Sequence, residues 1–262
     1  MSSLTLAAET LHDMRLNKRT VASLPPGAIP TSLAEAYRTQ ELLVRKFLDR
    51  LGGKIIGYKA AATNETAQRQ MDVDGPFFGT LLSATSHRSL ATLPASQFTL
   101  RIVEAEFGFE IGEDVPPSTK PYTAESIAPF VAFAIPAIEV VDHRYHDWRL
   151  VGAPSLAADN AIHGAWVEGD PIRDWRRYDL SRHTVNVLVN GQPWRIGSGA
   201  NVLGHPLNVV AWLANELPLH GRQLRAGEKV STGTTAEVYF ASPSDHITAD
   251  FGALGKAEVR FE

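Results

Sequence analysis

Residues 99–111 read TLRIVEAEFGFEI. Val103, Ala105, Phe107, Phe109 and Ile111 fall on alternate positions, the period of a strand with one face in a core. Glu104 and Glu106 fall on the other face, roughly 6.6 Å apart along the strand. Glu110 shares that face, farther along, and reads as a solvated group. Two carboxylates side by side repel. In a pocket, one of them must take up a proton unless a cation lies between them, and hard divalent cations prefer carboxylate oxygens and water. Glu-x-Glu on a half-exposed strand is also an ordinary solvated face, and spacing alone does not separate the two readings. A third acid, Glu139, stands inside the apolar run AIPAIEVV (134–141), where an unpaired carboxylate is costly. Three carboxylates could hold one divalent ion and leave positions for a chelating substrate.

Outward from this strand the chain keeps a β texture. KIIGYKA (54–60), AIEVVDHR (137–144), HTVNVLVNGQPW (183–194) and AEVRFE (257–262) are short β-type runs between Gly, Pro and Asp punctuation. Asn190-Gly191 between two apolar stretches predicts a hairpin. Residues 1–56 differ. Ser32 and Glu35 have capping-box spacing, and Leu33, Tyr37, Val44, Phe47, Leu48 and Leu51 recur at helical intervals until Gly52-Gly53 ends them. A second helix is expected around Ala124–Phe133. A third is expected from Pro206, with Val209, Val210, Leu213 and Leu217 inward. The expected architecture is α+β: an N-terminal helical segment over 1–56 and a β-rich catalytic body over 57–262.

Composition narrows the function. The 262 residues carry a net charge of −4, 44% hydrophobic residues and no cysteine. That excludes disulfides, thiolate metal sites and a Cys nucleophile. No basic stripe points to nucleic acid. No apolar run is long enough for a bilayer, and the N-terminus does not read as a signal peptide, so a cytoplasmic protein is expected. There is no G-x-S-x-G elbow and no Walker loop, and Gly197-Ser-Gly199 is too sparse for a dinucleotide site. His143 and His146, close to Glu139, and His205, before a helix, read as surface or capping residues. His163 is a weaker candidate for lining a pocket. Asp142, Arg144, Asp159 and Asn160 either orient the ligands or a lysine from behind, or form a buried ion pair that fixes loop geometry.

Several ordered motifs spread over most of the chain resemble one family. They are GYKAAATNETAQRQ (57–70), VDGPFFGTLL (73–82), RIVEAEFGFEI (101–111), PAIEVVDHRYHDW (136–148), AADNA (157–161), GSGANVLGHPLNVVAWLANEL (197–217), STG (231–233) and FGALG (251–255). Together they resemble the fumarylacetoacetate hydrolase superfamily, in its 2-oxopent-4-enoate hydratase and 4-oxalocrotonate decarboxylase branch. The resemblance implies a mixed β-roll or barrel-like body of the family's C-terminal type. It places the divalent-metal acids, for Mg²⁺ or Mn²⁺, on Glu104, Glu106 and Glu139, and a catalytic lysine on Lys59. It sets Thr232 and Gly233 beside the substrate or just behind it. The reaction implied is hydration of a small 2-hydroxydienoate in aromatic catabolism. Loss of carbon dioxide from a 4-oxalocrotonate-type acid is the alternative, and a non-catalytic 2-oxo acid binder or partner subunit is the reading from another class. A homo-oligomer, or a complex with a related pathway enzyme, is also implied. Three positions depart from the pattern. Phe77 stands where the family commonly has an Asp able to handle a proton, Ala61 replaces a glycine, and Ser242-Pro-Ser-Asp245 replaces a Gly-rich turn.

Overall fold

The N-terminal helices form where the local chemistry starts and stops them. In the computed structural model, which describes residues 2–262, α1 (Ser3–Leu16) is capped by the Ser2 hydroxyl and α2 (Leu33–Leu51) by that of Ser32. The capping box is only half formed, because the Glu35 carboxylate turns back to the amide and hydroxyl of Thr31. Gly52, at φ 72°, ends α2. Ala36, Tyr37, Gln40, Leu43, Val44 and Phe47 recur three to four residues apart and are buried on one face. Each fully buried large apolar side chain contributes about 1.5–3 kcal/mol, which is what docks this helical layer on the body.

The remaining helices are short apart from the last: α3 (Glu65–Met71), α4 (Ala124–Ile127), α5 (Gly152–Ala158) and α6 (Pro206–Glu216). The helix expected over 124–133 therefore stops early. A 3-10 turn runs to Phe130, and Val131 opens a strand, because VAFAIPAIEVV carries β-branched residues that pair along its whole length.

The strands in chain order are β1 (Ile55–Ala61), β2 (Phe77–Leu82), β3 (Ser86–Arg88), β4 (Ala91–Leu93), β5 (Ile102–Ile111), β6 (Val131–Val141), β7 (His163–Glu168), β8 (Thr184–Val189), β9 (Gln192–Ser198), β10 (Lys229–Thr234), β11 (Tyr239–Phe240), β12 (His246–Asp250) and β13 (Lys256–Phe261). Eight of them make one mixed sheet in the order β2-β1-β10-β5-β6-β7-β3, with β11 added beside β5. Five make a second sheet, β4-β13-β12-β8-β9. The β8–β9 hairpin turns at Asn190-Gly191, both with positive φ, as predicted. This is an α+β roll of two open sheets under a helical layer, and neither sheet closes into a barrel.

Both faces of β5 are covered. Its odd residues enter the main core, as expected. Its even face continues past the glutamates onto a smaller apolar cluster of Leu81, Ile135, Ala137 and Trp166. Glu110 is not merely solvated: it is half-buried and faces Lys229 at 3.5 Å.

Candidate metal centre

Five adjacent strands of the large sheet deliver the polar groups of the site. Lys59 comes from β1, Ser231 from β10, Glu104 and Glu106 from β5, Glu139 from β6 and His163 from β7. Antiparallel pairing sets Glu104 directly opposite Glu139, so the two side chains rise from the same face. With Glu106, they offer carboxylate oxygens that all lie within 4.8 Å of one another.

Glu106 and Glu139 are fully buried, and Glu104 is half-buried in the floor of a cavity of about 560 Å³. Lys59, 2% exposed, lines the same cavity, with Nζ 3.0 Å from a Glu139 oxygen and donating at 3.0 Å to the carbonyl of Ala161. Nδ1 of His163 meets the other Glu139 oxygen at 2.7 Å. The Ser231 hydroxyl donates to Oε2 of Glu106, while Oε1 of Glu106 has no hydrogen-bond partner.

The charges do not balance. Burial, then the Glu139 charge, push the Glu104 carboxyl above the usual range, with Lys59 opposing. Burial with Glu139 and Glu104 pushes Glu106 well above it. Burial also works against the Glu139 charge, but Lys59 and the hydrogen bond from His163 outweigh it and hold that carboxyl low. Lys59 likewise overcomes burial, because Glu139, Glu104 and Glu106 surround it, and it stays above the usual lysine value. Burial holds His163 low, so the ring is neutral and Nδ1 carries the proton donated to Glu139.

With all three carboxyls ionised against one lysine, two negative charges would be uncompensated in a buried place, which is why Glu104 and Glu106 are pushed up. A divalent cation offsets that charge. The all-oxygen donor set and the unpartnered Glu106 oxygen fit a hard ion such as Mg²⁺ or Mn²⁺.

Residues 55–262 match the fumarylacetoacetate (FAA) hydrolase C-terminal family. The chain belongs to that family. Among its relatives, a 2-keto-4-pentenoate hydratase of Paraburkholderia xenovorans (strain LB400) is 31% identical over 256 residues, spanning 98% of this chain and 94% of that protein. A 4-oxalocrotonate decarboxylase of Pseudomonas putida is 29% identical over 254 residues, spanning 97% and 95%. The solved structure of 4-oxalocrotonate decarboxylase from Pseudomonas putida G7, complexed with magnesium and adipate, matches with a TM-score of 0.90 at 28% identity, covering 99% of this chain and 97% of that one.

Within this fumarylacetoacetate hydrolase fold, the other expected site residues divide. Gly233 lines the cavity. Its φ is 97°, and a Cβ there would meet the Thr63 hydroxyl at 1.9 Å, so the Thr63 side chain fills the space a larger residue would need. Thr232 is buried and spends its hydroxyl on the carbonyl of Phe107 at 2.8 Å, behind the cavity wall. Asp142, Arg144 and Asp159 form a buried ion cluster. Arg144 pairs with Asp159 at 2.7 Å and Asp142 at 3.0 Å, and Asp142 accepts from the amides of Thr99 and Leu100. None of the three is hydrogen-bonded to a site glutamate or to Lys59. They anchor the chain entering β5 and the turn after α5. Asn160 sits in that turn and exchanges two hydrogen bonds with the backbone of Thr80, at 2.8 and 2.9 Å.

The histidine expectations need two corrections. His143 is buried, not a surface group, and its Nδ1 accepts from the amide of Tyr145. His163 is a direct partner of Glu139, more than a wall of the pocket. His146 is exposed, and His205 caps α6 by accepting from the Leu207 amide, as expected. Ser231 and the carbonyl of Ala161 escaped the sequence because each reaches the site only through strand pairing or an unusual turn.

Proposed function

We propose that this chain is a divalent-metal-dependent lyase that adds water to a small 2-hydroxydienoate, through its 2-oxo-enoate tautomer, to give a 4-hydroxy-2-oxo acid. The observation that carries it is the convergence of Glu104, Glu106 and Glu139 beside a buried Lys59, with Glu104 and Lys59 lining one cavity. The full-length similarity to a named hydratase supports it.

The three glutamates would hold Mg²⁺ or Mn²⁺. When bound, the ion supplies an electrophile that draws electron density from a chelating 2-oxo acid. Lys59 keeps its proton, so it acts as a fixed cation and donor toward the substrate carboxylate or the developing enolate oxygen. Ala161 and Glu139 hold its ammonium at a set position. His163 and Ser231 do the same for the carboxylates of Glu139 and Glu106.

Decarboxylation of a 4-oxalocrotonate-type acid is the second reading, favoured by the similarity to a decarboxylase over nearly the whole chain. Both reactions need the same electron sink. A non-catalytic binder is the third, because Phe77 is fully buried and does not line the cavity, so it provides no proton carrier there. The test mixes purified protein with fresh 2-hydroxypenta-2,4-dienoate in Mg²⁺ or EDTA and identifies products by mass spectrometry. A metal-dependent gain of one water is expected. Turnover of 4-oxalocrotonate alone, with loss of carbon dioxide, moves the assignment to the second reading, and turnover of neither moves it to the third.

We further propose a homo-oligomer, as the resemblance of the sequence implies, acting in the cytoplasm. Leu150, Ile196 and Leu219 are exposed apolar side chains available to an interface. Among the described residues no helix is long and apolar enough to cross a membrane. Light scattering of the purified protein is expected to give a multiple of 28.6 kDa.

A further inference from the structure

We propose that the cavity selects a 2-oxo acid whose tail is apolar, uncharged and longer than a five-carbon chain, and discriminates against one ending in a second carboxylate. This rests on the reading above, which seats the acid head at Lys59 and the glutamates.

Strand register gives the direction of the tail. Ile102 lies two residues before Glu104 on β5, so it shares that face, roughly 6.6 Å nearer the start of the strand. Its partner across β6 is Val141, two residues beyond Glu139, and its partner across β11 is Phe240. The row that begins with the Glu104–Glu139 pair therefore continues as Val141, Ile102 and Phe240, and all three line the cavity. Val141 at 4% and Ile102 at 6% are buried and Phe240 is 62% exposed, so the row runs through a buried apolar stretch and ends at the rim. Met71 from α3, Trp148 and Val238 complete this apolar end. A cavity of about 560 Å³ exceeds what a five-carbon acid fills, since clefts of roughly 300–1,000 Å³ take ligands of drug size.

Charge points the same way. The cationic side chains lining the cavity are Lys59 and Arg69. Lys59 is committed to the head, and Arg69 pairs with Glu65 at 3.1 Å. The acids at the rim are Glu65 and Glu237, the latter held by Arg195 at 2.6 Å. A second carboxylate at the tail would leave water for an apolar wall with no unpaired cation to receive it. An alkyl or aryl tail would gain up to about fourfold in affinity per covered methylene.

The experiment is calorimetric titration of the Mg²⁺-loaded protein with saturated, unreactive 2-oxo acids: 2-oxopentanoate, 2-oxooctanoate and 2-oxoadipate. 2-Oxooctanoate is expected to bind at least about tenfold more tightly than 2-oxopentanoate, and 2-oxoadipate more weakly than either. Phe240→Arg, at an exposed position that does not threaten folding, is expected to tighten 2-oxoadipate by about two- to fivefold and weaken 2-oxooctanoate. If 2-oxopentanoate binds in Mg²⁺ but not EDTA, while 2-oxoadipate matches or exceeds 2-oxooctanoate, the tail assignment is overturned and the head assignment stands. If 2-oxopentanoate does not bind at all, the seating of the head fails and the tail assignment falls with it.

Discussion

Glu106 concentrates the energetic conflict of the site in one residue. It is fully buried, one oxygen has no partner, and its carboxyl is pushed well above the usual range. Replacing it with Gln removes a buried charge while keeping the shape that accepts from Ser231. Glu106→Gln is therefore expected to fold with an unchanged or higher melting temperature, to lose Mg²⁺ affinity by at least about tenfold, and to lose turnover. Retained affinity in calorimetry would remove Glu106 from the ligand set. The same shift has a pH consequence. Raised carboxyl values mean that the folded, metal-free chain binds protons the unfolded chain has released. The stability from Glu104 and Glu106 is full below the ordinary glutamate value and is lost as pH rises through their raised values. Thermal melts in EDTA are expected to show these groups adding stability as pH falls from neutrality toward the ordinary carboxylate range. Mg²⁺ should reverse the trend, since binding releases those protons, and Glu106→Gln should flatten it. A pH dependence identical in the variant would contradict the assignment.

The turn after α5 works as an element. Asn160, Ala161 and Ile162 all have positive φ, at 54°, 49° and 55°, a conformation that costs about 1–3 kcal/mol for each non-glycine residue. Its surroundings hold it there. Asn160 pairs with the Thr80 backbone of β2, Arg144 grips Asp159, and Gly79 lets the Asn160 carbonyl come within 2.5 Å of where a Cβ would stand. The return is the Ala161 carbonyl aimed at Lys59. Gln40 of α2 ties the helical layer into this region by donating to the carbonyls of Phe78 and Ala157 at 2.9 and 2.8 Å and accepting from the Thr80 hydroxyl. Gln40→Leu would strand those groups in the interior, and urea melts are expected to show a loss of about 1–3 kcal/mol. Gly233→Ala, blocked by Thr63 and by its φ, is expected to lose about as much. A neutral result for either would show that the neighbouring chain relaxes freely.

For the whole molecule, Mg²⁺ should act as a fold stabiliser, because Glu139 comes from a different strand than Glu104 and Glu106 and the three converge only when the sheet is formed. At one hundred times the dissociation constant, a ligand bound only by the folded state adds about 2.7 kcal/mol. Melting in Mg²⁺ should therefore exceed melting in EDTA, and equal curves would argue against a site on these residues. Phe77→Asp tests the family departure at the same scale. Phe77 is buried in β2 with no charge partner in view, so the substitution is expected to destabilise the protein by several kcal/mol before it can alter chemistry, and the melt should be read before any assay. Much of this was legible in the chain itself. Alternation in TLRIVEAEFGFEI placed Glu104 and Glu106 on one face, the apolar run around Glu139 marked a carboxylate that needed a partner, and the capping and hairpin residues located α2 and the β8–β9 turn. Those readings rest on local periodicity and on the cost of burying charge, which operate within a few residues. Local sequence could not reveal that β6 pairs antiparallel with β5 so that Glu139 meets Glu104. It could not show that β7 brings His163 to the far side of Glu139, that the Asp142–Arg144–Asp159 cluster braces loops rather than ligands, or that the strand after Ile127 outcompetes a helix. Strand register, turn geometry and the sharing of buried charge are set by contacts between residues far apart in the chain, and those contacts exist only once the sheets have formed.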